Sequence, residues 1–188
     1  HVMLATKHSG KPTAYILRRG FTEVEDRLRW NGVQMQELTQ DSTIQVISSR
    51  ILSYETKKEP YEKHYLHYNT TTVADTISWT FRKGDYLIPM GTNKDRFILE
   101  TLEPEGPDSY FNWNFFDAVL QQKEHYSADV FEDRAAELLE KDACLKADFE
   151  LMKQSKDSIT PQEQLSWIYK NSPHYEKEYN RLPVFKVY

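Results

Sequence analysis

Apolar residues recur along this chain in two rhythms, and the rhythm changes near its middle. In the first half, Ile77, Trp79 and Phe81 alternate with Ser78, Thr80 and Arg82. That period of two marks a strand with one buried face. Lys83-Gly84 then turns the chain into a further strand over residues 85–89. Upstream, residues 44–54 and 62–72 read as two long strands separated by a Lys57-Lys58-Glu59-Pro60 corner. Three or four antiparallel strands with one apolar face need a cover.

From Trp113 onward the spacing is helical. Trp113, Phe116, Val119 and Leu120 share one face, and Phe131, Ala135, Leu138 and Leu139 share another after a Ser127 or Asp129 cap. Leu145, Phe149 and Met152 make a third set after Asp142. Thr160-Pro161-Gln162-Glu163 places the cap, the first-turn proline and the reciprocating acid in register before Leu165, Ile168 and Tyr169. Ser172-Pro173 ends that helix, and residues 182–188 return as a strand. Near the start, residues 13–18 read as a strand and Thr22–Trp30 as a helix, with Thr22 and Glu25 as a capping box. Asn31-Gly32 stops the helix, and residues 33–38 are extended. The expected fold is therefore α+β: an antiparallel β-sheet covered by C-terminal α-helices, with a small N-terminal βαβ-like lobe. Residues 1–40 form the lobe and residues 41–188 one compact unit.

Composition narrows the function. The 188 residues are 39% hydrophobic and 28% charged, and the net charge is −5. The acidic excess lies after residue 100, where ten basic residues face seventeen acidic ones. A nucleic-acid reader would carry a basic stripe instead, so nucleic acid is not an expected partner. No apolar run is long enough to span a membrane. The single cysteine, Cys144, leaves no partner for an intrachain disulfide and is expected as a small buried hydrophobe. The chain starts at His-Val-Met-Leu without an initiator Met, so a signal or a further domain is expected upstream.

The chemistry-bearing patterns are few. The six glycines are isolated, which removes glycine-rich phosphate loops, and Gly-x-Ser-x-Gly is absent. His64 and His67 are the only close histidine pair, and on a strand residues three apart point to opposite faces. No metal ligand is expected in this chain, and no catalytic residue is assigned. Asn69-Thr70-Thr71 matches a glycosylation acceptor, a three-residue pattern read as chance. The densest segment is 99–117, where Tyr110, Phe111, Trp113, Phe115 and Phe116 sit among Glu100, Glu103, Glu105, Asp108 and Asp117. Left wet, that much aromatic surface would be a large exposed patch, so it plugs a core or lines a recess. Glu103, Asp108, Tyr110 and Trp113 are its candidate binding residues. Asp108 and Ser109 are expected to cap a helix starting near Asn112 or Asn114. Trp79 and Trp113 are expected to be buried in one cluster.

Several phrases carry a family likeness: Lys83-Gly84-Asp85-Tyr86-Leu87-Ile88-Pro89, Leu99-Glu100-Thr101-Leu102-Glu103-Pro104-Glu105, the run from Asp108 to Asp117, Tyr169-Lys170-Asn171-Ser172-Pro173-His174-Tyr175-Glu176 and Pro183-Val184-Phe185. Together with Ala14-Tyr15-Ile16-Leu17 and Arg29-Trp30-Asn31-Gly32-Val33, they resemble the region after the catalytic domain in bacterial zinc metallocarboxypeptidase-like proteins, especially those of Bacteroidetes. That family's chemistry needs a His-x-x-Glu pair, a distant His, an Arg clamp and a catalytic Glu, and no such motif occurs here. The resemblance implies a noncatalytic C-terminal accessory domain of an exported, extracytoplasmic protein. Its implied partners are an upstream peptidase domain, which alone would hold zinc, and that domain's peptide substrate. Two alternatives stay open: a free-standing peptide- or glycan-binding module using residues 103–117, and a carboxylate-dependent hydrolase.

Overall fold

The computed structural model describes residues 10–122, 126–155 and 158–188. The chain is α+β, with a six-stranded antiparallel sheet and five α-helices among the described residues. It divides into two compact units, one running to Gln121 and resuming at Asn180–Tyr188, the other Gln122–Tyr179.

The first unit holds the sheet. Its strands are β1 (Ala14–Leu17), β2 (Gln36–Glu37), β3 (Ser42–Thr56), β4 (His67–Phe81), β5 (Tyr86–Pro89) and β6 (Arg181–Val187), in the order β2-β5-β1-β6-β3-β4. The expected strand–helix–strand start is present as β1, α1 (Thr22–Trp30) and β2, but β5 lies between the two strands. All four residues of β1 are buried, which fits a strand flanked on both sides rather than one in a lobe of its own.

Alternation sorts the strand residues to two faces. Tyr15 and Leu17 of β1, Leu182 and Val184 of β6, Ile51 of β3 and Ile88 of β5 face one cluster. Its cover comes from Val24 and Leu28 of α1, Ile98 and Leu102 of α2 (Asp95–Leu102), and Tyr110, Phe111 and Phe116. Ile16, Val46, Phe81 and Phe185 form the cluster on the opposite face, with Ile77 and Trp79 packed against it.

The second unit has a core of its own. Phe131 and Ala135 of α3 (Ala128–Lys141), Phe149 of α4 (Ala143–Gln154), and Ile168 and Tyr169 of α5 (Pro161–Lys170) form it. The start of α5 carries the expected capping box: Thr160 accepts from the Glu163 amide at 3.2 Å, and Glu163 accepts from the Thr160 amide at 2.8 Å. Asp142 caps α4 by accepting from the Leu145 amide at 2.9 Å.

Five local expectations are corrected. Thr22 lies inside α1 and makes no cap; Glu25 instead accepts from the Gly20 amide at 3.0 Å. The two strands expected over 62–72 and 77–81 are one continuous strand, β4. No helix starts at Trp113: residues 103–116 are turns, Asn114 sits at φ 66°, and only a short 3-10 turn, Asp117–Leu120, follows. Left-handed backbone at Asn114 ends any helical run there. Cys144 is exposed, because Leu145 and Phe149 take the inward face of α4. Trp79 and Trp113 are each only half-buried and keep separate company, Trp79 beside Phe185 and Trp113 beside Tyr61 and His64.

Phe185 is fully buried with ring centroids 5.3 Å from Trp79 and 5.1 Å from Phe81. Phe185→Ala is expected to cost about 3–5 kcal/mol, read as a lower denaturant midpoint. Thr160→Ala, which removes a cap in the helical unit, costs about 1 kcal/mol by the same measurement.

Candidate functional site

The 103–117 segment and the end of the β3–β4 hairpin are built against each other. Glu103 follows α2 directly, and its carboxylate turns inward to the sheet. One oxygen accepts from the Tyr15 phenol at 2.5 Å, the other from the Lys186 ammonium at 2.7 Å. Tyr15 is wholly buried. Its burial, reinforced by the Glu103 carboxylate, pushes the phenol far above its ordinary range. Gly106 then allows close packing: a Cβ there would stand 3.0 Å from the Glu100 carbonyl and 3.2 Å from that of Glu103.

Ser109, not Asp108, organises the next turn. Its hydroxyl donates to the Pro104 carbonyl at 3.0 Å and accepts from the Asn112 amide at 3.1 Å. Asp108 is exposed. Asn112 side-chain nitrogen donates to the Gly106 carbonyl at 2.6 Å, and its oxygen accepts from the Thr70 hydroxyl at 2.7 Å. Glu105 accepts from the amide and hydroxyl of Thr72 at 3.1 and 2.9 Å. The segment thus runs along the start of β4.

His67 is the centre of that junction. Its ring is packed between Tyr54 and Phe111, with centroids 4.5 and 5.1 Å away. Nε2 lies 3.0 Å from Asp117 and Nδ1 lies 2.9 Å from the Thr56 hydroxyl. In the neutral tautomer whose Nε2 donates to Asp117, Nδ1 accepts from the Thr56 hydroxyl. Asn114 Nδ2 stands 3.1 Å from Nε2 and directs a donor to the Tyr65 carbonyl at 2.9 Å.

Beyond His67 the hairpin carries an aromatic surface. Tyr61 and Tyr65 are 60% and 51% exposed. Trp113 packs edge-on against Tyr61 and His64, with centroids 6.0 and 5.6 Å away. Lys57 lies 4.2 Å over the Tyr68 ring. Flat amphipathic rings with polar tips suit a surface that is wet alone and covered when occupied.

The four candidate binding residues therefore part company. Glu103 is tied to the sheet, Asp108 is open to solvent, Tyr110 is in the core, and only Trp113 joins a surface cluster. The carboxylates of the segment go to separate partners rather than to one catalytic pair. Tyr54, Tyr61, His64, Tyr65 and His67 were not singled out for binding from the sequence. A signal was there: residues 54–68 hold four tyrosines and two histidines. Among the described residues, no group of three or more His, Cys, Asp or Glu side chains is placed to hold a metal ion, and no helix is long and apolar enough to cross a membrane. His1, His8 and His125 lie outside the described residues.

Tyr15 yields a pH prediction. An unfolded tyrosine loses its proton near pH 10, whereas the raised folded value keeps Tyr15 protonated. Its contribution to stability is thus whole below about pH 10 and falls as pH rises further, because only the unfolded state releases the proton. Alkaline unfolding followed by circular dichroism should be less steep in Tyr15→Phe. At neutral pH that variant loses a hydrogen bond to a charged acceptor, a cost of about 1.5–3 kcal/mol.

Compared with protein-family models, with curated proteins and with solved structures, the chain matches none.

Proposed function

We propose that this chain is a noncatalytic accessory domain that docks on a neighbouring polypeptide through the aromatic end of its β3–β4 hairpin. The observation that carries this reading is the exposure of Tyr61 and Tyr65 on the hairpin end, where the Trp113 ring packs edge-on against Tyr61 and His64. Aromatic anchors held by a rigid base are what dominate protein–protein contacts. The sequence resemblance supplies the identity of the neighbour, an upstream zinc-carboxypeptidase-like catalytic domain in an extracytoplasmic protein. On this reading the zinc and the peptide-cleaving chemistry belong to that domain, and this chain positions it or its peptide substrate. Capture of a free peptide or glycan by the same aromatic surface is the alternative occupant.

Tyr61→Ala and Tyr65→Ala should each weaken association with a separately produced catalytic domain by about tenfold or more, a loss near 1.4 kcal/mol. Their melting temperatures should stay close to wild type, since surface changes cost within about 0.5 kcal/mol. Isothermal titration calorimetry reads the first and differential scanning calorimetry the second. Unchanged affinity in the double variant would rule out this surface as the docking site.

The hydroxyl–imidazole–carboxylate chain of Thr56, His67 and Asp117 favours a second reading, an acyl hydrolase. Thr56 Oγ would attack an acyl carbon while His67 Nδ1 takes its proton, and the ester's leaving oxygen would depart with the bond electrons. Water would then release the acyl group from Thr56 and restore its hydroxyl. Hydrolysis of p-nitrophenyl acetate that disappears in folded Thr56→Val would favour this reading over the first.

A further inference from the structure

β4 closes one side of the sheet and, among the described residues, pairs with β3 alone. Its outer edge falls into two parts. Over the first, the chain covers itself: the His67 amide donates to the Asn112 carbonyl at 2.8 Å and the Thr72 amide to Glu105 at 3.1 Å. Both amides point outward although one number is odd and the other even, because the register shift near Asn69, at φ 51°, resets the alternation. From Thr72 to Phe81 the pairing with β3 is unbroken. Alternation therefore turns the backbone groups of Ala74, Thr76, Ser78 and Thr80 outward. All four residues are exposed, and no backbone group among the described residues meets theirs.

Natural edges of this kind are blunted with lysine, proline or a bulge. Residues 73–81 contain none of these, and their only charge is Asp75. We propose that this open edge pairs antiparallel with the same edge of a second copy, about a two-fold axis at Ile77, so that two sheets become one. The open stretch from Ala74 to Thr80 is centred on Ile77, so this axis pairs every outward residue: Ala74 with Thr80 and Thr76 with Ser78. An axis moved toward the start of β4 leaves Thr80 unmatched and runs into Thr72, whose amide already belongs to Glu105.

The side chains agree with that register. Ile77 meets its own copy across the axis, and small hydroxyls face one another beside it. Asp75 falls opposite Trp79 of the second copy. The Trp79 ring carries two guanidinium groups, Arg181 at 5.1 Å and Arg18 at 5.9 Å. Asp75 therefore faces a ring rather than a second carboxylate, and like charges do not stand opposite each other. This matching is specific to a second copy; an unrelated extended peptide does not bring the two-fold match. The inference is independent of the aromatic docking surface.

Sedimentation velocity of the full chain over a wide concentration range tests it, with a reversible monomer–dimer equilibrium expected. Ser78→Pro removes one outward amide and leaves the bonds to β3 in place. It should weaken the dimer at least tenfold with an unchanged melting temperature. In a Cys144→Ser background, Ile77→Cys should form an intermolecular disulfide under mild oxidation, because directly opposed residues of that pair type lie about 4.5 Å apart at Cα. Val73→Cys should not. A monomer at every concentration overturns the proposal, including one that captures an extended peptide instead. So does a dimer that persists in Ser78→Pro or fails to link through Cys at position 77.

Discussion

A half-buried carboxylate, that of Glu103, organises the sheet-bearing unit. Tyr15 and Lys186 are register partners on the neighbouring strands β1 and β6, and Glu103 binds both. One side chain therefore staples the turn after α2 to the two middle strands of the sheet. Side chains of Lys186 and Glu103 are 17% and 16% exposed, so most of their hydration is lost on folding. Two charge-assisted donors on one carboxylate offset that cost. Truncating any one of the three would leave a polar group without its partner in a largely dry site, which is costlier than the bond's net worth. The position of Glu103 also decides where the next thirteen residues go. Gly106 can pack on the carbonyl of Glu100 only while the turn is held down. Phe111 and Phe116 reach the core from that turn.

The aromatic density of residues 110–116 serves two ends. Tyr110, Phe111 and Phe116 complete the core beneath α1 and α2. Trp113 faces the hairpin end, and Phe115 lies between, with the Arg27 guanidinium 4.1 Å over its ring. Left-handed backbone at Asn114 separates these destinations. A continuous helix would have put Trp113 and Phe116 on one face, and the surface cluster with Tyr61 and His64 would not exist.

What the sequence makes legible follows from what constrains each element. β6 and the Thr160 capping box are local: each signal lies within one short segment, and the structure repeats it. The strand from Ile77 to Phe81 shows its alternation because one face packs on Phe185 and Val46. The preceding residues, Thr70 to Thr76, conceal the same strand, because most of them are exposed and no core enforces a pattern. α2 carries no side-chain cap at Lys94, and the carboxylate of its first residue, Asp95, instead accepts from the Thr92 amide at 2.8 Å in the turn before it, so no capping pattern marks its start. The Thr22 cap failed because Glu25 reached past it to Gly20. The candidate site was half-readable: Trp113 is in it, but its partners Tyr61 and His64 come from a hairpin end some fifty positions earlier. No spacing rule within one element can bring those residues together.

The length of the hairpin explains why polar groups concentrate beside it. β6 pairs with β3 only between Ile47 and Arg50, and the Ile51 amide donates to the Asn180 carbonyl at the limit of that contact. Past this point β3 and β4 run on as two strands without a third. A two-stranded ribbon is marginal in water, and two register shifts, at Leu52 and near Asn69, loosen its ladder further. Something must hold it. The described residues supply Glu105 on Thr72, Asn112 on Thr70, and Asp117 and Thr56 on either side of His67. Each of these bonds joins the ribbon to segment 103–117 or braces it internally, and the segment is itself fixed by Glu103. The polar cluster around His67 thereby buttresses the ribbon. What the buttress leaves in solvent, Tyr61 and Tyr65, is the part of the ribbon that its own stability does not require.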